Sequence, residues 1–241
     1  MNNKPKTIES QNQRQYEDYL EKGAVQFGPW TSASFRKDPK RLGFQFARYK
    51  FCAKMLSGKA KVLEIGCGDA PGIPIVLQEV NSILGIDIEP VVIEDNIRRF
   101  AREDFRTLTF AVHDIIQAPL KMTFDAAYSL DVIEHIPPKV EESFLRNMCL
   151  SLTKEGVCII GTPNINSEPY ASSGSVQGHV NLKSADSLKE SMSHFFHNVF
   201  MFSMNDEMVH TGFYPMAHYL IGMGVGVKEE QQFMRDAERR T

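Results

Sequence analysis

The stretch Val62-Leu63-Glu64-Ile65-Gly66-Cys67-Gly68-Asp69-Ala70-Pro71-Gly72 leaves this chain few folds to choose from. An apolar run ends in an acid and opens at once into glycines. The run reads as a buried strand, and the glycines as a turn in which a Cβ would collide with whatever the turn holds. A second apolar run, Ile83-Leu84-Gly85-Ile86, ends in Asp87, about 20 residues further on. A strand, a glycine turn and an acid at the tip of the next strand describe a nucleotide-type cofactor held at the C-terminal edge of a parallel sheet. A dinucleotide fingerprint ends in a third glycine beside a pyrophosphate. Here that slot holds Ala70 or is displaced to Gly72, and Glu64 precedes the first glycine. No pyrophosphate has to pass along this turn.

The middle of the chain alternates. Strands are expected near 60–65, 82–87, 107–112, 124–129 and 156–161, with helices near 72–80, 90–104 and 139–153. Such alternation with short connections predicts a doubly wound parallel sheet. Val157-Cys158-Ile159-Ile160-Gly161 is continuously apolar, as a strand covered on both faces should be. Upstream, Tyr16, Tyr19 and Leu20 suggest a short helix, and Leu42, Phe46, Tyr49 and Ala53 a longer one over 39–56, stopped by Gly58. Between them Phe27-Gly28-Pro29-Trp30-Thr31-Ser32 reads as a turn-rich stretch. Downstream, 162–181 reads as a long loop, the kind that is usually functional. A helix capped by Ser184 follows, and Val199–Phe202 and Tyr219–Ile221 look like a closing antiparallel pair.

Glu64-Ile65-Gly66-Cys67-Gly68 with Asp87 resembles the first two motifs of class I S-adenosylmethionine-dependent methyltransferases. Three more blocks stand in the right order: His113-Asp114, then Phe124 through Ile136 with Asp131-Val132-Ile133-Glu134-His135, then Leu152 through Gly161. The pattern is similar to the branch that includes ubiquinone-biosynthesis enzymes and small bacterial O-methyltransferases. The resemblance implies an α/β Rossmann-like fold with a mostly parallel seven-stranded sheet, an antiparallel last strand and an N-terminal helical lid. It divides the chain into a lid (1–57), a cofactor-binding domain (58–227) and a charged tail (228–241).

S-adenosylmethionine, which leaves as S-adenosylhomocysteine, then assigns roles. Gly66, Cys67 and Gly68 would lie against its methionine part and ribose, and the helix N-terminus after the turn would face its carboxylate. Asp87 would accept the ribose hydroxyls, with Ile88 beside it. Glu64 would orient the turn or reach the amine through water. Asp114 would take the adenine amino group, with His113 and Ile115 along the ring, and Leu130 and Asp131 would lie near the sulfonium. The family also implies that Trp30 and Arg48 close the site, Arg48 suiting the carboxylate.

Methyl transfer needs an aligned acceptor and, for a hydroxyl, a base; histidine serves near neutral pH. His179, at the end of the 162–181 loop, is the first candidate, then His210 in Met208-Val209-His210-Thr211-Gly212-Phe213, then His135, which also suits support of the cofactor pocket. Asp131, Glu134 and the nearby histidines could hold a divalent metal, as in some methyltransferases of catechol-like acceptors, but no compact ligand spacing such as His-Glu-x-x-His signals one, and no metal is expected. Phe195, Phe196, Phe200, Phe202, Phe213 and four methionines enrich the last third in soft apolar side chains, read as core, acceptor pocket or homodimer face. The blocks Gly28–Thr31 and His210–Met216 look like those of small methyltransferases of bacterial surface-polysaccharide and secondary-metabolite pathways. That points to O-methylation of a sugar or another small hydroxylated metabolite, with N- or C-methylation and cofactor binding without turnover as alternatives.

Charge and composition narrow the partners. The formal net charge is -3, with no basic stripe interleaved with aromatics, so no nucleic-acid partner is expected. No apolar run approaches the ~20 residues that cross a bilayer, so no membrane is expected. Residues 1–6 lack the apolar core of a signal peptide. The four cysteines form no Cys-x-x-Cys pair and read as buried thiols of a cytoplasmic protein.

Overall fold

The computed structural model describes residues 5–101, 105–171 and 173–230. Two helices, α1 (Gln13–Lys22) and α2 (Pro29–Lys37), precede α3 (Arg41–Met55). Then come β1 (Lys61–Ile65), α4 (Ile73–Leu77), β2 (Ser82–Asp87), α5 (Pro90–Phe100), β3 (Leu108–Val112), β4 (Phe124–Leu130), α6 (Pro138–Leu150) and β5 (Leu152–Pro163). The described residues continue through α7 (Ser173–Gly178), α8 (Ala185–Ser193), β6 (Phe196–Asn205), β7 (Met208–His210) and β8 (Tyr219–Val227).

Among the described residues eight strands make one sheet, in the order β3-β2-β1-β4-β5-β8-β6-β7. The first five are parallel, and the order reverses between β1 and β4. That reversal opens a crevice at the C-terminal strand ends, where ligands bind in such sheets. β8 lies antiparallel between β5 and β6, with Gly161 opposite Ile221 and Phe202 opposite Ile221 on the other side. The fold is the doubly wound, mostly parallel sheet that the sequence predicts. The short edge strand β7 adds an eighth member to the expected seven, pairing with β6 through the turn at Asp206 and Glu207.

Core residues explain the layers. One cluster joins Leu63, Ile65, Phe144, Met148 and Leu188 on one face, and another joins Tyr49, Leu56, Val62, Ile73 and Ile159 on the other. All four cysteines are buried and unpaired. No helix among the described residues is long and apolar enough to cross a membrane.

Several boundaries differ from expectation. Pro29, read as part of a turn, is the first residue of α2, where its fixed φ suits a helix and its missing N–H is not needed. α4 is shorter than 72–80, α5 runs to Phe100 with residues 102–104 of its expected span outside the described residues, and α6 stops at Leu150 because Leu152 already pairs with Phe124. The pairing with β4 then shifts, so that Lys154 and Glu155 bulge into solvent before Val157 meets Ala126. The expected loop at 162–181 is ordered into the end of β5, a 3-10 helix at Ile165–Tyr170 and α7. Of the expected aromatic and methionine core, Phe195, Phe196 and Met204 are buried, whereas Phe200, Met208, Phe213 and Met216 are exposed. Most of the 228–241 tail lies outside the described residues.

Candidate active site

The glycine turn closes onto β2: the N–H groups of Gly66 and Cys67 both donate to Ile86 O at 2.9 Å. Gly66 has φ +70°, and a Cβ there would stand 2.4 Å from Val132 Cγ2, so this position admits only glycine. Gly68 has φ +51° and lies under the Trp30 ring. Its N–H donates to Asp87 Oδ2 at 2.9 Å, while Glu89 N–H donates to Asp87 Oδ1 at 3.0 Å. Asp87 thus fixes the turn and the entry to α5. A carboxylate has about four acceptor sites, so it retains capacity for further donors.

The N-terminal segment is fastened to this turn. Asp69 Oδ2 accepts from Thr31 N at 2.7 Å and Oδ1 from Thr31 Oγ1 at 2.8 Å. Gly28 has no side chain to cap α2, so Asp69 does so from the cofactor turn, placing negative charge at the positive end of the helix. Arg99 of α5 donates to Asp69 O at 2.7 Å and to Gln26 O at 3.3 Å. Buried Asn96 donates to Gly68 O at 2.7 Å. Sequence reasoning passed over Asp69, Thr31, Asn96 and Arg99. Nothing local marks them, because each acts on a segment distant in the chain.

A cavity of about 660 Å³ opens at the crevice, within the range of small-ligand sites. Of the expected cofactor residues, Trp30, Gly66, Cys67, Gly68, Asp87, Ile88, His113, Asp114, Ile115, Leu130, Asp131 and His135 line it. Ile88 and Ile115 offer apolar surface, and Asp114 is held by an Asx turn in which Ile116 N–H donates to Oδ1 at 2.9 Å. Trp30, 48 % exposed, forms the outer wall.

Two expected cofactor residues stand elsewhere. Glu64 is 1 % exposed and lies behind the turn, not in the cavity wall. Tyr49 and Tyr128 donate to its two oxygens, each at 3.0 Å. Burial pushes its carboxyl up to about 8, which the two tyrosine hydrogen bonds only partly oppose. Glu64 therefore keeps its proton at neutral pH and braces β1 against α3 and β4. Arg48 is also outside the first cavity. Its Nη1 donates to both oxygens of Asp131, at 2.9 and 2.6 Å, and its guanidinium lies 3.6 Å from the centroid of the Tyr219 ring. Asp131, at φ +58°, is held in a conformation that few side chains adopt.

A second cavity of about 260 Å³ adjoins the first, sharing Ser34, Gln45, Asp131 and His135 with it. Its remaining wall includes Arg41, Arg48, Glu134 and His179. His135 and His179 meet edge to face with centroids 5.1 Å apart. Burial and the neighbouring His135 lower the pKa of His179, which favours its neutral, basic form. Glu134 is buried and accepts from Thr162 Oγ1 at 3.0 Å; burial, then the charge of Asp131, push its carboxyl up to about 8. His210 is not brought to the site. It sits on β7 at the sheet edge, within 3.3 Å of Asn205 Nδ2, and lines neither cavity. Being near Gly212 and the aromatic block in sequence does not carry it past β8 and β6 to the crevice.

A family model described as a methyltransferase domain matches residues 56–218. No curated protein matches the sequence closely enough to count as a relative. Among solved structures, the chain is similar to N-methyltransferase NodS from Bradyrhizobium japonicum in complex with S-adenosyl-L-homocysteine. That match has 15% identity and a TM-score of 0.61, covering 87% of this chain and 97% of that one. The methyltransferase domain of bacterial CtHen1 gives 16% identity and a TM-score of 0.64 over 76% and 99% of the two chains. Phosphoethanolamine N-methyltransferase 2 from Haemonchus contortus, with S-adenosyl-L-methionine, gives 15% identity and a TM-score of 0.57 over 71% and 50%.

Proposed function

The chain belongs to the methyltransferase-domain family and is a class I S-adenosylmethionine-dependent methyltransferase, and from that premise we propose that it methylates a hydroxyl of a small polar metabolite such as a sugar. The observation that carries this reading is the His135–His179 pair in the wall of a polar cavity next to the cofactor cavity. In this reading residues 58–227 carry the reaction and residues 1–57 supply the lid.

The residues of the first cavity suit S-adenosylmethionine. Its wall joins a glycine cradle, an acid at a strand tip and apolar faces able to sandwich a base. When bound, the cofactor supplies an activated methyl on a sulfonium. Gly66 and Gly68 give the backbone its close approach, and Asp87 keeps acceptor capacity for ribose hydroxyls. Asp114 is placed for the adenine amino group, Ile88 and Ile115 for the ring faces. Trp30, held by the Asp69–Thr31 bonds, excludes water from the outer side.

The second cavity then receives the acceptor. Ser34, Arg41 and Gln45 offer donors suited to a polyhydroxylated molecule. His179, kept neutral, accepts a proton from the acceptor hydroxyl, and His135 orients the shared boundary. An amine acceptor is the second reading. It is favoured by the Asp131 and Glu134 carboxyls in the same wall and by the N-methyltransferases among the similar structures.

The test is calorimetric titration with S-adenosylhomocysteine, NAD serving as control, followed by turnover on hydroxylated and amine acceptors of similar size. Binding of the first ligand alone, with methyl incorporated into the hydroxylated set, is the expected result. Incorporation only into amines would replace the reading by the second. Binding without turnover on either set would favour a non-catalytic role.

A further inference from the structure

We propose that Glu134, His135 and His179 form a site for a divalent transition-metal cation at the edge of the acceptor cavity. The three residues each bring one ligand atom within 4.8 Å of the others. Ligands about 2.1 Å from a shared tetrahedral ion stand about 3.4 Å apart. Rotations of the two accessible imidazoles by about an ångström at the tip would close the set.

Main-chain bonds, not side-chain coincidence, bring the three together. The carbonyl of Glu134 accepts from both Val180 N–H, at 2.8 Å, and Asn181 N–H, at 3.0 Å. His135 Nδ1 lies 2.9 Å from Gly178 O. The segment that carries His179 is thus tied on both sides to the turn that carries Glu134 and His135. The same bonds supply the outer support that metal ligands need. With Nδ1–H donated to Gly178 O, His135 keeps its lone pair on Nε2. Thr162 Oγ1 donates to Glu134 Oε2, orienting from behind the carboxylate that forms when the cation displaces the Glu134 proton. Asp131 does not belong to the set, because Arg48 holds its carboxylate.

The donor chemistry selects the ion. Two imidazoles and one carboxylate suit zinc, manganese, iron(II) or cobalt, whereas magnesium and calcium prefer oxygen ligands alone. Three protein ligands leave positions open, as in catalytic rather than structural sites. The inference rests on the acceptor occupying this cavity. There the cation would take the acceptor hydroxyl as a further ligand and lower its pKa. The hydroxyl proton passes to water; the oxygen lone pair forms the O–C bond while the C–S bond breaks, its electron pair remaining on sulfur. With the ion bound, water replaces His179 as the proton acceptor, and the two histidines act together through the ion.

Cobalt(II) tests the site directly. The full chain, freed of any affinity tag and treated with chelator, is titrated with Co2+ by calorimetry and visible absorption. One equivalent is expected to bind, with no comparable uptake of Mg2+. Glu134→Gln and His179→Ala should each weaken Co2+ binding at least ~10-fold, with S-adenosylhomocysteine affinity retained as the check on folding. His210→Ala, remote from the cluster, should bind as the unaltered chain does. No uptake of Co2+, or uptake that both variants retain, overturns the proposal. Full methyl transfer in chelator overturns the ion's role in the reaction and leaves O-methylation standing. Uptake at these residues without turnover on any hydroxylated acceptor supports the metal site and counts against O-methylation.

Discussion

Glu64→Gln should stabilise the fold by an amount that grows with pH. Folded, the Glu64 carboxyl holds its proton to about pH 8. In the unfolded chain it loses that proton near the ordinary value of 4.5. The folded-state pKa is raised, so the stability this group provides is fully present below pH 4.5. It is lost as pH rises towards 8, because unfolding then releases a proton. At about 1.36 kcal/mol per pH unit, the loss is about 3 kcal/mol at pH 7 and levels off near about 5 kcal/mol above pH 8. Glutamine mimics the protonated acid: its oxygen accepts from one tyrosine hydroxyl and its amide donates to the other. It carries no proton to lose. Urea unfolding of both proteins, followed by circular dichroism at pH 5, 7 and 9, isolates the term as a difference. The expected advantage of the variant is under about 1 kcal/mol at pH 5 and about 5 kcal/mol at pH 9. A difference that does not change with pH would refute the reasoning. It would mean that Tyr49 and Tyr128 hold an ionised carboxylate in the folded protein.

Other expectations concern ligands and lid. Asp87→Ala should weaken S-adenosylhomocysteine binding by roughly 1.5–3 kcal/mol, the range for hydrogen bonds to a charged group; calorimetry showing unchanged affinity in a folded variant would remove Asp87 from the site. Asp69→Ala leaves the Thr31 N–H and hydroxyl without their acceptor and should cost roughly 1–3 kcal/mol of stability. The same variant should also bind S-adenosylhomocysteine more weakly and loosen Trp30, read by its fluorescence; a Trp30 signal identical to that of the unaltered chain would count against the capping role. His179→Ala should lower kcat while sparing cofactor affinity, and His210→Ala should change neither; loss of turnover only in the His210 variant would invert the assignment.

The cofactor side was legible because its parts are contiguous. Gly66, Gly68 and Asp87 announce themselves within two adjacent strand–turn segments, and the alternation around them leaves one sheet class. Helix α2 was not legible. Gly28-Pro29 reads as a turn, and the side chain that caps the helix is Asp69, far along the chain. From its place in the motif, Glu64 reads either as orienting the turn or as reaching the amine through water. Only the approach of Tyr49 from α3 and Tyr128 from β4 shows that it faces away. Arg48 looked free for a carboxylate until the fold brought Asp131 to it. The Glu134–His135–His179 cluster defeats a search for compact ligand spacing, since its third member returns from beyond β5.

The position of β8 has a consequence for how the chain reaches this state. β5 cannot gain its second neighbour, and the β6–β7 hairpin cannot join the sheet, until β8, the last strand among the described residues, has slotted between them. The contacts it makes span from Val157 to Val225, and such distant pairings close slowly. Until then the apolar edge of β5, from Val157 to Gly161, is open to another chain. In pulse-labelled hydrogen exchange during refolding, the amides of β1, β2 and β4 should gain protection before those of β6 and β8. Protection of all of these strands in a single phase would show that insertion of β8 is not the late step.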